Sequence, residues 1–159
     1  GEACVVLLLE RKQSAMRRGA EVLATVEAVA FGDDPESLLS GKLSTGRVLA
    51  EVAGSVAEIT GWSGGTLPWI IADQNGESYR AHEWGSAIVH LVGRDLAYQR
   101  TCLWLPATSF GDTGAASAGT AICLAVSAFR RHYAPSPAVV ILSTAEHPKR
   151  AAVVLRGPG

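Results

Sequence analysis

Short apolar runs rich in Val, Ile and Leu alternate with stretches of helical period along nearly the whole chain, and this alternation restricts the fold more than any other feature. Residues 3–9 form a continuous apolar run, the pattern of a strand covered on both faces. Residues 10–19 are charged and end in glycine, which predicts a short helix and its stop. Residues 20–31 carry β-branched side chains up to the turn cluster Gly32-Asp33-Asp34-Pro35 and predict a second strand. Ser44 or Thr45 can cap a helix to about residue 60, in which Val48, Leu49, Val52, Val56 and Ile59 recur at helical spacing. After a loop over 61–66, residues 68–72 read as a short buried strand. Asn75 or Gly76 then opens a helix to about residue 91, with Trp84, Ile88 and Leu91 on one side. Residues 101–105 predict a strand, and 113–133 a helix rich in Ala and Gly at its start. Residues 138–143 and 151–155 predict strands joined by a turn around Glu146-His147-Pro148-Lys149. The expected order is β-α-β-α-β-α-β-α-β-β. That is one α/β domain over 1–159, with a mostly parallel mixed sheet flanked by helices and a closing hairpin.

With 48% apolar and 18% charged residues, a chain of 159 residues can bury a substantial core. The apolar surplus also suggests a face covered by a partner. A net charge of -1 and the lack of a large Lys/Arg cluster give no reason to expect nucleic acid. Arg11-Lys12 with Arg17-Arg18, and Arg130-Arg131-His132, read as solvated helix faces. No apolar run approaches the roughly 18 residues of a membrane span. Val5-Val6-Leu7-Leu8-Leu9 precedes its charges, the reverse of a signal peptide. Three widely spaced cysteines form neither a disulfide framework nor a metal set, so a cytoplasmic setting is the simplest expectation. Cys102 and Cys123 are expected as buried small hydrophobes. The start at Gly1 suggests a processed chain or a piece of something longer, and no residue pattern calls for a cofactor.

Two stretches carry the chemistry: Ile70-Ile71-Ala72-Asp73-Gln74-Asn75-Gly76-Glu77 and Ser109-Phe110-Gly111-Asp112-Thr113-Gly114-Ala115-Ala116. Each runs from an apolar strand into small polar residues and then a helix, and in an open α/β sheet sites are built in the crevice at such strand ends. Asp73 and Asp112 are the candidate catalytic pair, as two carboxylates working acid–base chemistry across one crevice. Asn75, Glu77, Gly111 and Thr113 are candidate substrate-binding residues beside them. The competing reading is helix capping, in which each Asp accepts hydrogen bonds from free backbone N–H groups. Both readings can hold at once.

The same residues resemble the C-terminal half of a β-ketoacyl-ACP synthase, in the thiolase superfamily, and the resemblance covers nearly the whole sequence. Gly1-Glu2-Ala3-Cys4 with its apolar run and Glu10 looks like the strand that follows the nucleophile-bearing half, and Arg18-Gly19-Ala20 like the helix end after it. Ile71-Ala72-Asp73-Gln74-Asn75 stands where the family carries alanine-histidine-glycine-threonine. Gly111-Asp112-Thr113-Gly114-Ala115-Ala116 stands where it carries glycine-histidine-threonine-leucine-glycine-alanine-alanine. The resemblance implies acyltransferase chemistry of fatty acid or polyketide biosynthesis and a thiolase-like half-fold. It also implies a partner: an N-terminal ketosynthase-like half or a homo-oligomer, with an acyl carrier protein as a further candidate. The departures are as informative. The family's two histidines match Asp73 and Asp112, and its lysine falls near Ala107. An ionised carboxylate repels a developing oxyanion where a neutral histidine would donate to it. A protonated one could donate, given a large pKa shift. Decarboxylative condensation by this chain alone is therefore not expected, and the alternative is a catalytically silent binding or assembly module.

Other motifs favour structural readings. Gly111, Gly114 and Gly119 match no phosphate-loop spacing and read as close packing. His82 and His90 stand eight apart, where a zinc helix needs four. Trp62, Trp69, Trp84 and Trp104 read as core or interface. Arg80 and Glu83 read as a surface pair, with Tyr79 and Arg80 able to face the crevice.

Overall fold

The computed structural model describes residues 1–62, 67, 69–94 and 101–158. Its elements are α1 (Lys12–Arg17), β1 (Thr25–Asp33), α2 (Arg47–Ile59), β2 (Trp69–Ala72), α3 (Ser78–Val92), β3 (Cys102–Trp104), α4 (Ala107–Phe110), α5 (Ser117–Arg130), β4 (Ala138–Thr144) and β5 (Lys149–Arg156). Short 3-10 turns occupy Leu38–Ser40 and Gly114–Ala116. The five strands form one mixed sheet in the order β1-β5-β4-β2-β3. β2 pairs in parallel with β3 and β4, whereas β5 pairs antiparallel with β4 and β1. The sheet is thus parallel only in its β4-β2-β3 part. Most of the loop expected over 61–66, and Pro68 at the expected strand start, lie outside the described residues.

Strand alternation divides the core into two layers. Ile70 and Ala72 of β2, with Val140 and Leu142 of β4, point to α2 and α3 and meet Leu49, Val52, Val56, Trp84 and Leu91. Trp69 and Ile71, with Val139 and Ile141, point to α5 and meet Ala121, Ala125, Ala128 and Phe129. Covered on both sides, these two strands need unbroken apolar runs. Trp69 packs edge-on against Trp104 and Phe129, with centroids 4.6 and 5.6 Å away, so its expected core role holds. β3 and β4 flank β2 on opposite sides, and the connecting helices α3 and α5 lie on opposite faces. The strand order reverses at β2, which makes its carboxyl end the crevice of the sheet.

Several expectations change. Residues 3–9 form no strand: they run without ladder partners, with Val6 89% and Leu8 86% exposed. An apolar run needs a neighbouring strand to become one, and the sheet of this chain offers none there. The segment instead crosses α5 at Gly119, where an added Cβ would come within 2.9 Å of the Val5 side chain. The helix predicted over 113–133 begins with a 3-10 turn and turns α-helical only at Ser117. Ser44 does not cap α2: Gly46 occupies the N-cap at φ 69°, and the Ser44 hydroxyl accepts the Gly46 N–H at 3.0 Å. Cys102 is half-buried, but Cys4 and Cys123 are exposed. Apolar surface also remains open on β1, where Phe31 is 76% exposed. No helix among the described residues is long and apolar enough to cross a membrane.

The pair expected between Arg80 and Glu83 does not form. Glu83 is buried and binds Arg150 through two contacts, Nε–Oε1 at 2.5 Å and Nη2–Oε2 at 3.1 Å. Arg150 Nη1 also donates to the carbonyls of Ala145, His147 and Lys149, and Asp34 lies 3.9 Å from Nη2. Asp34 in turn accepts from the Ser44 hydroxyl at 2.5 Å. One buried guanidinium therefore joins β5, α3, the end of β1 and the β4–β5 turn.

Candidate functional site at two strand exits

The two motifs converge as their positions in the chain suggested. Ala72, Asp73 and Asn75 from the β2 exit face Pro106, Ala107, Gly111, Asp112, Thr113 and Ser117 across a crevice floored by Ala121 and Leu142. The crevice encloses only about 10 Å³, roughly the space one water occupies. Asn75 is its bridge. The Asn75 amide donates to Asp112 Oδ2 at 2.8 Å and to Glu77 Oε2 at 2.5 Å, and Asn75 Oδ1 accepts the Glu77 N–H at 3.1 Å. Asp112 Oδ1 accepts the Gly114 N–H at 2.8 Å, which starts the 3-10 turn before α5. The Asn75 amide and the Gly114 N–H hold the exposed Asp112 carboxyl below the usual carboxylate range. Asp112 is therefore an ionised acceptor in an Asx turn ahead of the 3-10 turn, and it is the N-cap of neither following helix. Gly111 makes the reversal at φ 73°, a conformation open to glycine, and Thr113 Oγ1 lies 3.2 Å from Ser117 Oγ.

Asp73 lines the crevice and is also tied to β4. Its side chain is 7% exposed and points to the end of β4, where it accepts the Thr144 N–H at 2.6 Å, the Thr144 hydroxyl at 3.0 Å and Arg80 Nη1 at 3.3 Å. Arg80 also donates to the Thr144 carbonyl at 2.9 Å. Burial pushes the Asp73 carboxyl up, against the pull of the Thr144 N–H and the Arg80 guanidinium. Each oxygen accepts from β4, and the guanidinium adds to Oδ2, so the carboxylate works as a clasp between β2, β4 and α3. Arg80 stands beside the crevice motifs as the sequence allowed, its guanidinium 5.3 Å from the Tyr79 ring centroid. Thr144 was not among the sequence candidates. Its only signal was Ser143-Thr144 at the exit of a further apolar strand, the same kind of position as Asp73.

A stability test follows for this clasp. Because burial raises the folded-state value, the folded chain holds the Asp73 proton more tightly than the unfolded chain does. The contribution is then most favourable below the ordinary carboxylate value of about 4 and is lost as pH rises from there to the raised folded value. Asp73→Asn should remove this dependence from urea midpoints measured across that window. It should also cost about 1–3 kcal/mol at neutral pH, because the amide cannot accept from all three donors. A wild-type chain that instead gains stability through the same window would mean that Arg80 and Thr144 outweigh burial.

No family model and no curated protein sequence matches the chain. Solved structures do. An oxazolomycin ketosynthase domain of Streptomyces albus JA3453 superposes with a TM-score of 0.78 at 17% identity, covering 94% of this chain and 33% of that one. The ishigamide ketosynthase/chain length factor matches with a TM-score of 0.71 at 16% identity, covering 93% of this chain and 41% of that one. A type II polyketide acyl-carrier protein in complex with its hexaketide-bound ketosynthase gives a TM-score of 0.69 at 13% identity, covering 94% and 38%. The chain carries a thiolase-like half-fold of the ketosynthase kind. It spans about a third to two-fifths of the length of these structures.

Proposed function

We propose that this chain is one half of a ketosynthase-like protein that handles acyl thioesters, with the nucleophile supplied by an N-terminal half that is a separate chain or a segment removed from this one. In this reading it furnishes a pocket wall and an assembly face. The observation that carries the reading is the apolar surface left uncovered on residues 6–9 and on β1, together with a crevice too small for an acyl chain. A pocket of useful size then requires surface from a second body, and the apolar face is where that body would pack. The ketosynthase paired with a chain length factor, and the ketosynthase bound to a carrier protein, support such a partner and a carrier-bound substrate by analogy.

The second reading, a catalytically silent assembly module, is favoured by the engagement of both carboxylates. Asp73 is clasped by Thr144 and Arg80, and Asp112 is held by Asn75 and Gly114. Neither offers a proton to an oxyanion in the crevice.

Native mass spectrometry of the protein from its natural host tests the assembly. A stoichiometric second chain bearing a ketosynthase nucleophile is the expected result. A compact monomer at micromolar concentration would overturn it. Within such a complex, acyl transfer that survives Asp112→Asn within about threefold would place Asp112 in the wall, whereas a loss of 100-fold or more, typical of a general acid or base, would place it in the chemistry.

A further inference from the structure

A second concave region lies between α2 and α3, away from the strand exits. It is a groove of about 370 Å³ lined by Arg47 and Glu51 of α2 and by Val89, His90, Gly93 and Arg94 at the end of α3. That volume falls within the range of small-molecule sites, roughly 300–1,000 Å³. Among the described residues, the lining carries two guanidiniums, an imidazole and one carboxylate, on a chain whose net charge is -1. Among the described residues, the side chains of Arg47 and Arg94 form no hydrogen bond or ion pair.

Arg94 is not left to wander over the surface. Gly54 lies buried in the middle of α2, where glycine weakens a helix. A Cβ added there would come within 2.9 Å of Arg94 Nη1, 3.7 Å of its Cδ and 3.8 Å of its Cζ. The missing side chain at Gly54 is the seat on which the Arg94 guanidinium rests across the helix pair. A glycine that costs helix stability and yields a place for a cation has a reason to be there.

We infer that the α2–α3 groove binds a small phosphate-bearing anion between Arg94, seated on Gly54, and Arg47. A planar guanidinium offers paired donors to phosphate oxygens, and two of them facing one space suit a diphosphate better than a single carboxylate. Val89 and Gly93 leave room for an uncharged moiety beside it.

Isothermal titration calorimetry of the purified chain with inorganic pyrophosphate tests this at low and moderate salt. Saturable one-to-one binding is expected, and Arg94→Gln and Arg47→Gln should each weaken it by about tenfold or more. Arg17→Gln, on the remote and exposed α1, should leave it unchanged. Gly54→Ala is the sharper variant. The nearest atoms in its way belong to the flexible Arg94 side chain, so the fold should be retained and the melting temperature should not fall, while pyrophosphate affinity drops because the guanidinium is displaced. No binding at millimolar pyrophosphate would overturn the proposal. So would equal weakening by Arg17→Gln, or undiminished affinity in Gly54→Ala.

Discussion

Arg150→Met is expected to destabilise the chain by about 3–5 kcal/mol in urea unfolding, because it leaves Glu83 charged and buried without its partner. The wild-type guanidinium uses its donors on Glu83 and on three carbonyls of the β4–β5 turn, and it sits 3.9 Å from the equally buried Asp34. Methionine of similar length would fill the space and satisfy none of these acceptors. The double variant Glu83→Leu/Arg150→Met should recover much of the loss, since removing both charges also removes their desolvation cost. A loss under about 1 kcal/mol in the single variant would show that water reaches the group and replaces the pairing. The outcome also bears on the site. Arg150 holds the Ala145 carbonyl, the residue after Thr144, and Thr144 is the main partner of Asp73.

Gly46→Val should have a comparable effect by a different route. Gly46 has φ 69°, and a Cβ placed there would lie 2.4 Å from the Ala87 nitrogen and 2.5 Å from the Glu83 carbonyl oxygen. Both obstacles are backbone, so no side-chain rotation relieves them. The left-handed backbone costs a β-branched residue about 1–2 kcal/mol, and forcing α2 away from α3 costs roughly 1–3 kcal/mol more. Thermal unfolding by circular dichroism would record a large fall in melting temperature. A variant that melts within two or three degrees of wild type would mean that α2 can shift on α3 without penalty, and the close approach at Gly46 would then be incidental.

How far the fold was legible depended on which partner each residue needed. β2 and β4 were readable because strands covered on both faces need unbroken apolar runs, and 69–72 and 138–142 have them, while β5 showed a shorter run over 151–155. The α2 stripe of Leu49, Val52 and Val56 showed its period directly. Residues 3–9 have the same apolar character, yet the strand they would pair with is not in this chain's sheet. Glu83 and Arg150 stand 67 positions apart, so no periodicity links them, and a charged residue in a helix reads by default as exposed.

The candidate site divides along the same line. Asn75 and Asp112, 37 positions apart, were brought together by the order of two recognisable strand-exit motifs. Asp73 was placed at the right strand end and lines the crevice, but its hydrogen-bond partners were not read from the sequence. Its partners Thr144 and Arg80 lie on β4 and α3, and nothing local to 70–77 signals that the side chain turns toward them.

The pairing of β1 with β5 sets when this molecule can become a folded one. Thr25 lies opposite Arg156 and Asp33 opposite Lys149, so the first strand of the sheet waits for the last. On the ribosome, β1 would emerge with an open ladder and exposed Val29 and Phe31, and its partner in the sheet comes only with β5. Arg150 arrives in that same final strand, so Glu83 and Asp34 keep their water until then. Synthesis stalled before residue 149 would leave β1 without a sheet partner and β4 with an open edge, both exposed to association with other chains.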